Sequence, residues 1–402
     1  MKKLLKCIAV LVSVIFTSGV SFAANFGTDV NLTMMPAAGG MGGTGTASPQ
    51  DVGSAVFGNP ATLKQFKHEQ FMFGATYYSI DVNAQHDGTT TGTAWSGDSE
   101  AGPYLIPNVA NSHAISDSTV LGLGFSVVSG IGSDFRGEAG SLQPLAEILV
   151  FGANVAMAHE LNPHLTLGAS VTLGMGLGQA GLNNNTASTS NFGLRATLGM
   201  TYTAGDTIFA GYYRSPLAIK YKNMVQYDTN SFHSPTFEQP QEVSFGVANH
   251  SLMNGDLLLA ADFIWKDWES AESYQDLYDN QNIYAIGAQL KTGNLKWRAG
   301  FIHADSPIKQ NVGSNVGDIT SLLVGGVSTP MNPALTRYVQ ATNAEVIWED
   351  QVTVGLGWDA TKHLTIDGHI STALERDETI GETRIEASSW QAGVALTWQF
   401  DQ

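Results

Sequence analysis

Alternation of apolar and polar side chains is the strongest regularity in the chain. From position 165 to 177 the odd residues are Leu165, Leu167, Ala169, Val171, Leu173, Met175 and Leu177, and the even ones are Thr166, Gly168, Ser170, Thr172, Gly174 and Gly176. The final stretch repeats this, with Trp390, Ala392, Val394, Leu396, Trp398 and Phe400 set against Gln391, Gly393, Thr397 and Gln399, and 191–202 and 295–301 follow the same rule. A period of two puts the apolar set on one face of a strand and the polar set on the other. The pattern predicts strands over 68–82, 104–115, 119–129, 146–160, 164–178, 191–203 and 206–214, then 242–250, 256–266, 283–291, 295–303, 345–358, 363–372 and 389–400. The count is about fourteen, and a single-chain bacterial barrel requires an even number.

The connections carry as much information as the strands. Short turns at 116–118, 161–163, 204–205, 251–255, 292–294 and 359–362 alternate strictly with longer segments. Short turns at one end and long loops at the other is the asymmetry of an outer-membrane barrel, whereas a soluble β-sandwich has no reason to keep that order. Trp265, Trp297, Trp358, Trp390, Trp398, Tyr202 and Tyr213 fall near strand ends, as an aromatic girdle requires. The expected fold is therefore all-β, a transmembrane antiparallel β-barrel with both termini on the periplasmic side.

The first residues assign the compartment. Lys2 and Lys3 precede a largely apolar run from Leu4 to Val20, and Ser21-Phe22-Ala23 offers small residues where signal peptidase cuts. We expect 1–23 to be a signal peptide, with an uncleaved anchor as the alternative; Cys7 lies inside the run, which argues against a lipoprotein. Cleavage removes the chain's one cysteine together with Lys2, Lys3 and Lys6, so the net charge moves from −17 to about −20. Disulfides and nucleic-acid partners are not expected. Charged residues make up 14% of the chain, below the ~25% usual in soluble proteins. No later segment reaches the ~18 apolar residues of a spanning helix, so a closed sheet is the remaining way to cross a membrane. The expected location is the outer membrane of a Gram-negative bacterium, in contact with its lipid and lipopolysaccharide.

Between 24 and 67 the alternation disappears. The run Ala37-Ala38-Gly39-Gly40-Met41-Gly42-Gly43-Thr44-Gly45 contains a literal G-x-G-x-x-G at Gly40, Gly42 and Gly45. A dinucleotide site is rejected because Pro36 breaks any preceding strand and no βαβ unit follows. A plug of small residues inside the lumen is the better reading, and Val52, Val56, Phe57, Leu63 and Phe66 supply apolar anchors that a disordered leader would lack. The expected domains are the signal peptide (1–23), an N-terminal hatch (24–67) and the barrel (68–402).

The run ending Ala55-Val56-Phe57-Gly58-Asn59-Pro60-Ala61-Thr62-Leu63 resembles the hatch of the FadL-type transporters of long-chain fatty acids and aromatic hydrocarbons. Ala24-Asn25-Phe26, Ile106-Pro107-Asn108 and Tyr213-Arg214-Ser215-Pro216 echo the same family. The resemblance implies a barrel with a hatch that passively takes up hydrophobic small molecules as a monomer. Ligand is caught at the external loops, held in an apolar pocket against the hatch, and released sideways where the third strand is kinked. Asn59, Pro60 and Ala61 would hold the hatch, and Phe26 would sit at its N-terminal pocket.

Gly130 and Gly132, after the third strand, are candidates for the kink, the alternative being an ordinary flexible loop. A carboxylate ligand needs a cation in the lumen, and strand parity puts Arg195, Lys296 and Arg298 opposite Leu194, Leu295 and Trp297; pairing with acids such as Asp262 or Asp367 is the alternative. Two departures from the family are the short loop 178–190, where a capture groove is expected, and the ending Phe400-Asp401-Gln402. Neither a cofactor nor a metal is expected, since the histidines are scattered without ligand spacing. Competing readings are a general diffusion porin, against which the hatch speaks, and an outer-membrane lipase using Ser99, which lacks a strand-turn-helix elbow. Fatty acid, alkane and aromatic ligands are not distinguished at this stage.

Overall fold

The computed structural model describes residues 32–66, 68–182, 187–343 and 347–400. The expected signal peptide (1–23) and Phe26 lie outside the described residues. Fourteen strands form a ring of antiparallel neighbours. In chain order these are β1 (Gln70–His86), β2 (Tyr104–Ser116), β3 (Thr119–Asp134), β4 (Leu145–Asn162), β5 (Leu165–Gly181), β6 (Thr189–Ala204) and β7 (Thr207–Arg214). The second half supplies β8 (Glu242–Leu252), β9 (Leu257–Lys266), β10 (Gln281–Thr292), β11 (Leu295–Ala304), β12 (Asp350–Asp359), β13 (Leu364–Ile380) and β14 (Thr383–Gln399). Pairing of β1 with β14, from Gln70↔Gln399 to His86↔Thr383, closes the ring. A further strand, Trp95–Asp98, pairs with the outer end of β1.

Side-chain parity sorts the two faces as a lipid-bathed ring requires. Leu123, Val155, Leu173, Phe245, Ile286, Val354 and Val394 are exposed, while their polar neighbours turn inward and are buried. Leu194 is 67% exposed and Arg195, the next residue, 5%. Aromatic side chains band the outer face, with Tyr77 and Trp390 packed at 5.0 Å between ring centroids and Phe263 and Tyr284 at 5.3 Å.

Two expectations change. The segment 373–388, read as a long loop, is instead the outer half of β13 and β14, joined by a tight turn at Gly381-Glu382. Beyond the register shift between Ala373 and Arg376 these strands carry Asp377, Glu378, Arg384 and Glu386. Here the polarity of the faces is reversed: Ile380, Ile385 and Ala387 are buried on the inner face against the cap core, and Arg384 and Glu386 stand outside, so the apolar-out pattern of the lower wall does not continue. The segment 304–344, read as a long connection, holds the hairpin Ser321–Val324/Val327–Pro330 and helix α2 (Pro333–Ala341), and the strand expected over 345–358 is Asp350–Asp359. Asn332 caps α2 by accepting the amides of Ala334 and Leu335 at 3.0 and 3.1 Å, with Pro333 in the first turn.

Residues 32–66 sit inside the ring. They form 3-10 turns and one short helix, α1 (Val52–Phe57), and touch inward-facing side chains of strands all around the wall. At the outer end the loops fold into a cap with its own apolar core. Trp95, Phe135 and Tyr338 cluster on one side, and Trp268, Tyr274 and Tyr278 on the other, with centroids 5.3 to 5.5 Å apart in the second group.

Candidate functional site

Asn59 begins a 3-10 turn, Pro60–Gln65, and its Oδ1 accepts the Ala61 amide at 3.1 Å. Pro60 suits the first helical position because its missing N–H would have had no partner there. The other end of the Asn59 side chain does different work. Its Nδ2 donates to the Thr46 carbonyl at 2.8 Å, inside the lumen segment, and to the Met200 carbonyl of β6 at 3.1 Å. One buried amide therefore ties a turn of the plug both to its own chain and to the wall. A Cβ on Gly168 of β5 would collide with the backbone of Pro60 and Ala61, so bare wall backbone receives the motif.

The glycine run is explained the same way. Gly40 lies on Gly355 of β12, where a Cβ on either would fall 2.7–2.8 Å from the other's Cα. Gly42, at φ +68°, donates to Thr353 Oγ1 at 2.9 Å and faces Gly300 of β11. The spacing that mimics a nucleotide fingerprint is a seam where two backbones touch. Polar groups then fix the register: Asp262 Oδ2 accepts the amides of Gly45 and Thr46 at 2.9 and 3.0 Å, and Gln391 donates to Thr33 O at 2.8 Å. Asp51 accepts from Ser54 N at 2.6 Å and from Ala37 N at 3.1 Å, capping α1 and tying the segment's two halves together.

The lumen cations are engaged. Arg298 is bound to Asp367 at 2.6 Å and to Gln289 at 2.7 Å, and Lys296 to Asp359 at 2.6 Å near a short turn. Arg195 donates to the Pro240 carbonyl at 3.2 Å. A cluster not anticipated from sequence joins three strands: Glu242 bridges Arg214 at 3.2 Å and Lys266 at 2.8 Å, and Tyr212 donates to it. Arg214 also donates to the Phe57 carbonyl at the end of α1, so this cluster too holds the plug. No local pattern signals it, since Arg214, Glu242 and Lys266 face one another only through the register of β7, β8 and β9.

On the opposite side of the ring the wall is incomplete. β2 pairs with β1 over Tyr104–Ser112 but with β3 only from Val109 onward, and β3 beyond Phe125 pairs only with β4. The gap between β2 and β3 is bridged at its base by Ser126 Oγ donating to Asn108 at 2.8 Å, and at its top by Glu100 N donating to Asp134 O at 2.8 Å. The ladder irregularity in β3 falls at Val128; Gly130 and Gly132 follow it in regular register with Leu149 and Glu147. A cavity of about 540 Å³ occupies this place. Met34 of the plug, with Tyr78, Tyr104 and Ile106, lines it from the lumen side. Leu149 and Leu177, which share the parity of lipid-exposed Val155 and Leu173, line it from the other. The cavity thus runs from the plug to the lipid face.

The cap lies over the lumen. A smaller cavity of about 80 Å³ inside it is lined by Leu182, Phe237, Leu277, Ile319, Leu322 and Met331 among others. α2 is fastened across it by Tyr338 donating to Ser141 O and Gln340 donating to the carbonyls of Leu277 and Lys309 at 2.6 and 3.0 Å. Burial pushes the Tyr221 phenol up and the His233 imidazole down, in both cases disfavouring the charged form. Ser99 accepts the Asp134 amide at 3.0 Å, a structural contact at the edge of the wall opening.

Solved structures with the same architecture include the P. putida toluene transporter TodX, 18% identical with a TM-score of 0.66, the match covering 92% of this chain and 100% of that one. A Pseudomonas aeruginosa FadL homologue matches at 16% identity and TM-score 0.66, over 95% and 100% of the two chains. The Ralstonia pickettii toluene transporter TbuX matches at 18% and 0.62, over 92% and 100%. At these identities the likeness establishes the fold. No curated protein matches the sequence. Residues 14–217, which include the plug and the first seven strands, match the family described as "Outer membrane protein transport protein (OMPP1/FadL/TodX)", and the chain belongs to that family of outer-membrane transport proteins for hydrophobic compounds.

Proposed function

We propose that this protein, acting as a monomer, lets uncharged hydrophobic small molecules pass the outer membrane without an energy source. Ligand enters through the cap, rests in the cavity against Met34, and leaves sideways into the bilayer between β2 and β3. In this reading residues 24–67 are the hatch, Asn59, Pro60 and Ala61 hold it, Phe26 lies at its leading end, and 1–23 is a cleaved leader. Gly130 and Gly132 belong to the exit path. The observation that carries the proposal is the cavity of about 540 Å³ whose lining joins lumen-side to lipid-side residues. A lipid-soluble molecule gains from such a route because it never has to cross the hydrated sugar layer or dissolve in an aqueous pore.

The choice of an uncharged ligand rests on the same lining. Among the described residues that line the cavity the charged one is Glu147, an acid, and it accepts a hydrogen bond from Gln179 at 2.8 Å. Arg195, Lys296 and Arg298 lie elsewhere in the lumen with partners of their own. An anionic head group would meet a like charge at the cavity. Toluene transport by the relatives TodX and TbuX agrees with a neutral ligand. The test is uptake of radiolabelled toluene and of a long-chain fatty acid by cells with and without the gene. Toluene uptake that depends on the gene supports the proposal, and uptake of neither compound depending on it refutes it.

A further inference from the structure

Tyr104 stands at the start of β2, directly opposite Tyr78 of β1 in the register. Its ring does not stay over its own strand pair. A Cβ placed on Gly132 of β3 would strike the Tyr104 hydroxyl and lie 2.9 Å from Cζ and 3.2 Å from Cε2. A Cβ on Gly102 would lie 3.2 Å from the same Cε2 and 3.4 Å from Cδ2. The ring therefore reaches from β2 across to β3 and lies against two residues that carry no side chain.

Backbone hydrogen bonds would fill that space in a continuous sheet. Here the ladder between β2 and β3 stops at Val109↔Phe125, and above that point β2 runs in register with β1 and β3 with β4. Between the bridge at Asn108 and Ser126 and the bridge at Glu100 and Asp134, the Tyr104 ring spans the opening. It also lines the cavity with Met34, Ile106 and Val127. Against Gly132 and Gly102 the ring meets no side chain, so on these two sides only backbone limits a change of its χ1.

We propose that Tyr104 is the shutter of the lateral opening, a specificity-determining side chain whose ring sets the size of molecule that leaves the cavity. The proposal rests on the reading that ligand leaves between β2 and β3. The bulk of the ring sets the aperture, so phenylalanine replaces tyrosine and alanine does not.

The experiment compares uptake of toluene and of the bulkier neutral hydrocarbon biphenyl by cells carrying the wild type, Tyr104→Phe, Tyr104→Ala or Tyr104→Trp, each checked for heat-modifiable gel mobility as evidence of folding. Tyr104→Ala is expected to raise the biphenyl-to-toluene uptake ratio about tenfold, the scale on which apolar apertures discriminate by size. Tyr104→Phe should leave the ratio unchanged, and Tyr104→Trp should lower it. An unchanged ratio in Tyr104→Ala, or a Phe variant that behaves as the Ala variant does, overturns the shutter. A second arm separates this from failure of the exit route. In a Cys7→Ser background, Tyr104→Cys and Gly132→Cys are bridged by a short bis-methanethiosulfonate and released by reductant. Uptake blocked by the bridge with an unchanged ratio in Tyr104→Ala removes the shutter alone. Uptake untouched by the bridge removes the lateral exit and the shutter with it.

Discussion

The side chain of Asn59 lies directly against Gly199 of β6. A Cβ at position 199 would fall on Asn59 Oδ1 and 3.0 Å from its Cγ. The contact is what lets one amide reach Thr46 and Met200 together. Asn59→Ala takes the side-chain donor from the buried Thr46 carbonyl and the part-buried Met200 carbonyl and leaves the turn uncapped, a loss of about 1–3 kcal/mol. We expect this variant to unfold at lower urea, read by gel mobility, and to show larger single-channel conductance in planar bilayers as the plug loosens. Gly199→Val, which fills the same space from the wall side, should reproduce both effects. Wild-type conductance in both variants would separate the contact from plug retention.

A second hold on the plug is electrostatic. Glu242 is 2% exposed and bridges Arg214 and Lys266, and Arg214 in turn grips the Phe57 carbonyl. Glu242→Gln leaves two buried cations facing each other, and breaking a buried pair from one side costs about 3–5 kcal/mol. This variant should lose more stability than Asn59→Ala in the same urea titration. Replacing the cluster as a whole, with Glu242→Leu, Arg214→Met and Lys266→Met together, should recover stability but not a tight plug, visible as raised conductance at near-normal unfolding urea.

Parity made most of this wall readable in advance. Leu194 beside Arg195, and Trp297 beside Arg298, tell which face is lipid and which is lumen without any knowledge of partners. What each inward charge would meet was not readable, because Arg214, Glu242 and Lys266 are separated along the chain and become neighbours only once three strands are in register. The outer ends of β13 and β14 escaped notice for the opposite reason. There the inner face carries buried Ile380, Ile385 and Ala387 and the outer face Asp377, Arg384 and Glu386, so the apolar and polar sides are exchanged relative to the lipid-facing wall. α2 was within reach, since Asn332-Pro333-Ala334 repeats the Asn59-Pro60-Ala61 cap; the repeat also shows that the motif by itself specifies a helix start, and that the reach of Asn59 to Met200 distinguishes the plug. The Tyr104 contact with Gly132 follows from a missing ladder, which no local pattern records.

Lys296 offers a control. Its partner Asp359 lies at 2.6 Å, with both side chains about a quarter exposed, close to the turn that joins β12 to β13. A partly solvated pair of this kind contributes about 0–1 kcal/mol. Lys296→Ala should therefore leave toluene uptake within about twofold of wild type and unfolding urea almost unchanged. A loss of uptake with normal folding would instead place Lys296 on the ligand's path.

Glu147 is the residue through which charge selection can be reversed. It lines the large cavity beside Gln179, opposite Gly132 in the ladder. A carboxylate ligand that enters there must approach a like charge beside apolar walls, where a pair of charges interacts more strongly than in bulk solvent. Glu147→Gln removes the repulsion and Glu147→Lys turns it into attraction. Uptake of a long-chain fatty acid relative to toluene should rise in the order wild type, Glu147→Gln, Glu147→Lys, by about tenfold across the series if the charge change alters the barrier by ~1.4 kcal/mol. Salt offers a second check, since the effect of Glu147→Lys should shrink as ionic strength rises if the charge is felt from the solvent-facing end of the cavity. Equal ratios in all three proteins would mean that head groups never pass this residue, and the preference for uncharged ligands would then have to arise in the cap.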